Sequence, residues 1–145
     1  MKRDFDLIRG LLLYYEKKDN PKCQKELPTL ERKYEDLDLS YHIWLLNDAG
    51  YLEGIEIKEK VEEIFKFEEG DRDIKITHYK RGDRTVDVHP KHLTWEGHEF
   101  LDSIRDNSRW DTIKTKIKDR GAELSLLTIK TVATAIINQA IAPGQ

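Results

Sequence analysis

Apolar positions recur every three or four residues toward both ends of this chain and every second residue in its middle. Phe5, Ile8, Leu12 and Tyr15, joined by Leu7 and Leu11, predict an amphipathic helix from Asp4 to about Glu16. Lys17-Lys18-Asp19-Asn20-Pro21 ends it, since Asn-Pro favours a turn and Pro cannot continue a helix. Residues 22–28 read as a short extended piece. Thr29 is placed to cap a second helix running through Asp36, with Leu30, Tyr34 and Leu37 as its apolar stripe. A third helix follows, capped by Asp38, with Leu39, Ile43, Leu46 and Gly50 on one face. Gly50 can take the left-handed position that closes a helix. The second helix, a short turn and the third make a helix-turn-helix unit.

Beyond Gly50 the period changes. Tyr51, Ile55 and Ile57 suit a strand, Val61 to Phe67 alternates only in its second half, and Ile74 to Tyr79 and Thr85 to His89 alternate again. Gly70-Asp71 and Gly82-Asp83 mark turns. Two or three antiparallel strands after a helix-turn-helix are what a wing looks like, here an elaborated one. Thr94 then caps a helix with Gly97 at its third position and Phe100, Leu101 and Ile104 on its core face. A glycine there costs about 1 kcal/mol against alanine, which points to close packing on another backbone. Trp110 to Lys118 is a basic helix stopped by Gly121, and Ser125 caps a last helix to about Ile141. The fold expected is α+β, mainly α: a winged helix-turn-helix domain over residues 1–105, its wing about 51–93, and a C-terminal helical extension over 106–145.

Composition narrows the function classes. The 145 residues are 38% hydrophobic and 37% charged, with 25 Lys and Arg against 28 Asp and Glu. A net charge of -3 lacks the basic excess of a chain built for nucleic acid. The single Cys23 makes no internal disulfide and suits a reducing cytoplasm. Acids near the N-terminus stand where a signal peptide has its apolar region, and no uncharged apolar run approaches a membrane span. His89-x-x-His92 and His98-Glu99 fall short of the three or four convergent ligands of a zinc site, so no metal and no cofactor are expected. No Gly-rich phosphate loop, nucleophile elbow or zinc-protease histidine pair is present, so neither an enzyme nor a small-molecule substrate is expected.

Three motifs occur in order: Met1-Lys2-Arg3-Asp4-x-Asp6-Leu7-Ile8-Arg9, then Tyr41-His42-x-x-Leu45-Leu46-x-x-Ala49-Gly50, then Leu93-Thr94-Trp95-Glu96-Gly97-His98-Glu99-Phe100-Leu101-Asp102 continuing through Arg105-Asp106 to Trp110. In these the chain resembles the small bacterial and prophage proteins called domain of unknown function 2513. The segment from about Ile57 to Asp87 looks longer than that family's. The resemblance implies a winged-helix-like fold and a place in mobile elements, with no activity or catalytic residue to carry over.

Two partners are open. If the protein binds double-stranded DNA as a transcription regulator, Ser40, Tyr41, His42 and Trp44 lie nearest the groove, and Lys80, Arg81 and Arg84 in the wing turn meet phosphates. Against this, Glu35, Asp36, Asp38, Asp48, Glu53 and Glu56 fall between Tyr34 and Ile57, where no Lys or Arg occurs. The alternative is an adaptor in which Tyr41, Trp44 and Leu45 anchor a protein partner. The last helix is apolar most of the way round, so Leu126, Ile129, Val132, Ile136 and Ile137 form a homodimer face or pack across the first helix of the same chain.

Overall fold

The computed structural model describes residues 2–65 and 78–141, at 61–65 and 78–81 by backbone alone. Asp4 caps the first helix, α1 (Phe5–Glu16), by accepting from the Leu7 N–H at 3.0 Å. From Lys17 to Glu35 the chain forms neither helix nor strand. The helix expected from Thr29 is therefore absent, and with it the helix-turn-helix pair. The physical reason lies in what the segment packs against. Leu27, Leu30 and Tyr34 reach the core one by one from irregular, bent chain, and Leu30 packs beside Gly10 of α1. A helix of some eight residues would return too few hydrogen bonds to offset its nucleation.

The helix expected after an Asp38 cap, α2 (Asp36–Asp48), begins three residues earlier, with Glu35 at its N-cap making no side-chain capping bond. Asp38 instead sits in the first turn, where its charge favours the helix dipole. Gly50 closes α2 at φ 77, as its place in the pattern requires.

Two strands, β1 (Leu52–Phe65) and β2 (His78–Leu93), then pair antiparallel as a ribbon from Leu52 opposite Leu93 to Phe65 opposite His78. At about 3.3 Å per residue, the 14 residues of β1 reach roughly 45 Å. Register shifts after Glu53 and Ile57 leave Lys91 and Val86 of β2 unpaired, and such bulges add twist. Gly82-Asp83 is no turn: both residues lie inside β2, opposite Val61 and Lys60. The Gly70-Asp71 turn and the alternation beginning at Ile74 fall outside the described residues.

After the ribbon come α3 (Trp95–Ile104), α4 (Asn107–Asp119) and α5 (Leu126–Ile141). Asp106 caps α4 by accepting from the Arg109 N–H at 2.7 Å, and Gly121 follows it at φ 66. Ser125 and Thr128 cap α5 reciprocally: Ser125 Oγ accepts from the Thr128 N–H, and Thr128 Oγ1 from the Ser125 N–H. One cluster of buried side chains runs from Phe5 through Leu52, Val88 and Trp110 to Ala133. All five helices and the foot of the ribbon contribute to it, so α4 and α5 share the core rather than standing off it. The described chain is α+β and mainly helical, with five helices and a two-stranded sheet.

Candidate functional site

Three joints hold the elements in place. At the first, the carbonyl of Tyr51 accepts from the Thr94 N–H at 3.1 Å, and Thr94 Oγ1 donates to the Gly50 carbonyl while accepting from the Gly97 N–H at 3.1 Å. A Cβ on Gly97 would stand 2.0 Å from the Tyr51 oxygen. The expected close backbone approach is thus α3 resting on the turn between α2 and β1. At the second, Arg9 donates to the carbonyls of Ile104 and Arg105 and to Asn107 Oδ1, placing a cation at the negative end of α3. At the third, Asp6 Oδ1 accepts from Trp110 Nε1 at 2.7 Å and from Lys114 Nζ at 3.0 Å, tying α4 to α1. Burial alone would raise the Asp6 carboxyl, but these two hydrogen bonds and the charges of Lys114 and Arg32 hold it below the usual carboxylate range. Glu16 is held low in the same sense, chiefly by its hydrogen bonds from Arg105.

The two sides of α2 differ sharply. Inward, Leu39, Ile43 and Leu46 join the core with His42, which is only 2% exposed. His42 Nε2 accepts from the Asp4 N–H at 2.8 Å, so Nδ1 carries the ring proton and donates to the Asp38 carbonyl at 2.8 Å. Both nitrogens are committed inside the chain, which removes His42 from the set expected nearest a DNA groove. Outward, Leu37 is 67% and Trp44 40% exposed, and half-buried Tyr41 stacks on Trp44 with ring centres 6.2 Å apart. Ser40 and Leu45 flank this stripe, half-buried. Glu35, Asp36 and Asp48 rim it, all exposed.

The wing cations are not at a tip. Lys80, Arg81 and Arg84 lie within β2, where the register sets them opposite Glu63, Glu62 and Glu59, and Asp83 opposite Lys60. Arg84 meets Glu59 at 3.4 Å, both side chains exposed. Residues 58–60 and 82–84 are exposed throughout.

The match to known proteins fits this geometry. A family described as hypothetical proteins, DUF2513, matches residues 58–123. An uncharacterized protein of Haemophilus influenzae is 34% identical over 142 residues, covering 98% of this chain and 100% of its own. This chain belongs to the DUF2513 family. No solved structure matches it. The match begins inside β1 and takes in the rest of the ribbon, α3 and α4.

Several residues that carry the DUF2513 resemblance hold the elements together. Asp4, Asp6 and Arg9 of the first motif, His42 and Gly50 of the second, and Thr94, Gly97 and Trp110 of the third all serve the contacts above. Trp95 and Glu99 of the third do not: Trp95 is 77% exposed, and its Nε1 donates to Glu99 Oε1 at 2.8 Å. His89 and His92 face separate carboxylates, His89 with Asp87 at 3.2 Å and His92 with Glu53 at 3.4 Å. Among the described residues no group of three or more His, Cys, Asp or Glu could hold a metal, and no helix is long and apolar enough to cross a membrane.

The residues expected to form a dimer face are largely used within the chain. Ile129 is fully buried, and Leu126, Val132 and Ile136 pack partly buried against the core. Ile137 is half-buried, while Leu127 and Ile141 are exposed. The face α5 covers is chiefly that of α3 and α4 rather than α1.

Proposed function

We propose that this protein is a non-catalytic adaptor whose α2 helix docks a protein partner. The observation that carries this reading is the outward stripe Leu37, Tyr41 and Trp44 at i, i+4, i+7 spacing. It leaves two large apolar side chains substantially exposed on a helix already anchored by its other face. Trp and Tyr are the side chains that most often anchor protein interfaces, because they exclude water over a large area at low entropic cost. The acids at the rim fit a partner of positive or neutral charge.

DNA is the second reading, favoured by one observation. The order of α2, a long hairpin and α3 is that of the recognition helix, wing and following helix of a winged domain. We read the fold as a winged-helix relative in which extended chain precedes the recognition-type helix. The electrostatics argue against DNA as its ligand. No Lys or Arg occurs between Tyr34 and Ile57, and Lys60, Lys80, Arg81 and Arg84 of the ribbon stand opposite acids across the strands. Phosphate contacts are the main source of sequence-independent affinity, and acids on α2 and across the described ribbon oppose them.

The deciding experiment places a photo-crosslinking amino acid at position 44 of the full chain in cells of the source organism, beside a fluorescent duplex-binding assay from about 50 to 200 mM salt. A discrete protein adduct that disappears with Leu37→Ser and Tyr41→Ser, and no duplex binding at the lowest salt, is the expected result. Salt-sensitive duplex binding lost in Arg84→Ala would overturn it.

A further inference from the structure

A second surface lies on α3, away from the stripe of α2. An open groove of about 460 Å³ runs from Ala49 at the end of α2, past Glu96 and Glu99 of α3, to Lys130 and Thr134 of α5. Its floor is the stacked pair Tyr51 and Phe100, ring centres 5.1 Å apart, both buried. Lys130 Nζ stands over both rings, 5.1 and 5.9 Å from their centres. An aromatic floor attracts a cation through the negative face of each ring, so this groove already holds one from its own chain.

Two further features remain without a packing role. Glu96 is exposed and makes no hydrogen bond or ion pair among the described residues. Trp95, beside it, is held only through its indole N–H to Glu99 and presents its ring to solvent. The groove therefore combines two carboxylates without a cationic partner, an aromatic floor and a neighbouring aromatic side chain, against the single positive charge of Lys130.

We infer that this groove receives a basic segment of a partner protein, an Arg or Lys of that segment taking the place of Lys130 over the Tyr51–Phe100 floor. The carboxylates of Glu96 and Glu99 supply the complementary charge, and Trp95 stacks on the entering side chain. Length selects a chain segment over a free cation. The groove spans the end of α2, α3 and α5, far more than one guanidinium fills. This inference stands apart from the α2 face, since it uses none of that stripe's residues.

The test uses the full-length protein carrying Trp44→Phe, which leaves exposed Trp95 and buried Trp110 as the fluorophores and removes the anchor on α2. It is titrated at about 100 mM salt with an end-blocked tetra-arginine peptide. A saturable change in Trp95 emission is expected. Affinity should fall at least about tenfold with Glu96→Gln/Glu99→Gln, and rise several-fold with Lys130→Ala, which removes the resident cation. A citrulline peptide of equal length should not bind. Circular dichroism of each variant establishes that it is folded. No binding by the Lys130→Ala protein, or equal affinity in the double glutamine variant, overturns the inference. Arginine amide binding as tightly as the peptide also overturns it, because the ligand would then be a small cation rather than a chain segment.

Discussion

The helical body and the outer ribbon of this protein are built on different physics. In the body, each contact between elements is a short-range joint that tolerates almost no change: a backbone resting on Gly97, an amide seated on His42, an indole N–H on Asp6. In the ribbon beyond Ile57, the described side chains are exposed save half-buried Thr85, and charge opposes charge across the strands: Glu59 with Arg84, Lys60 with Asp83. Burial makes specificity costly to break, because a displaced atom or an unpaired donor has nowhere to go. Exposed charge makes it cheap, because water substitutes for the lost partner. The body should therefore set global stability, and the ribbon should open locally below it.

Gly97→Ala strikes the body hardest. A Cβ 2.0 Å from the Tyr51 oxygen forces α3 off the foot of the ribbon, and the loss, about 3 kcal/mol, should exceed any gain in helix propensity. Urea unfolding measures it, and a variant as stable as the parent would contradict the joint. His42→Ala should come next at about 2 kcal/mol, because the Asp4 N–H loses its acceptor in a part-buried site. His42→Asn, shorter and unable to span both partners, should recover little of that loss in the same assay.

The Asp6 joint adds a pH signature. Its folded carboxyl lies below the ordinary range, so its contribution is present above the unfolded pKa near 4 and fades as pH falls through the lower folded value. Asp6→Asn should flatten the acid limb of stability against pH. At neutral pH the cost should stay below about 1 kcal/mol, since the group is half exposed to screening solvent. An unchanged acid limb would deny the joint its charge. The smallest effect belongs to the ribbon. Arg84→Glu sets like charges opposite each other at Glu59, yet should cost only a few tenths of a kcal/mol. Amide exchange should quicken at residues 58–60 and 82–85 while α1 and α3 hold their protection. A global loss of stability instead would mean that the ribbon is part of the core's cooperative unit.

Legibility in the sequence followed the same divide. Local chemistry that acts within a turn or two was readable. Thr94 and Ser125 cap the helices they precede, Gly50 and Gly121 close the helices before them at positive φ, and Gly97 marks a close approach. The false helix at Thr29 has a related origin: Leu30, Tyr34 and Leu37 have helical spacing, but Leu30 and Tyr34 turn to the core from irregular chain, and Leu37 turns outward on α2. Gly82-Asp83 has the pattern of a turn, because glycine next to aspartate usually breaks a strand. Pairing with β1 overrode it, since Gly82 in an exposed ribbon has no side chain that must pack.

The candidate sites were only half legible. Tyr41 and Trp44 stood out as aromatic residues on an acidic helix, but Leu37 was assigned to a different element. The groove over Tyr51 and Phe100 has no signal along the chain, because its walls come from α2, α3 and α5. By itself the sequence determined the Thr94 and Ser125 caps, the closing glycines, the charge balance and the family. These depend on neighbours a few residues away, or on motifs that survive being read one after another. The tertiary structure alone decided that His42 is interior, that Lys60, Lys80, Arg81 and Arg84 of the ribbon oppose acids, and that α5 covers α3 and α4. Each depends on a partner far along the chain, and proximity of that kind exists only once the backbone has closed on itself.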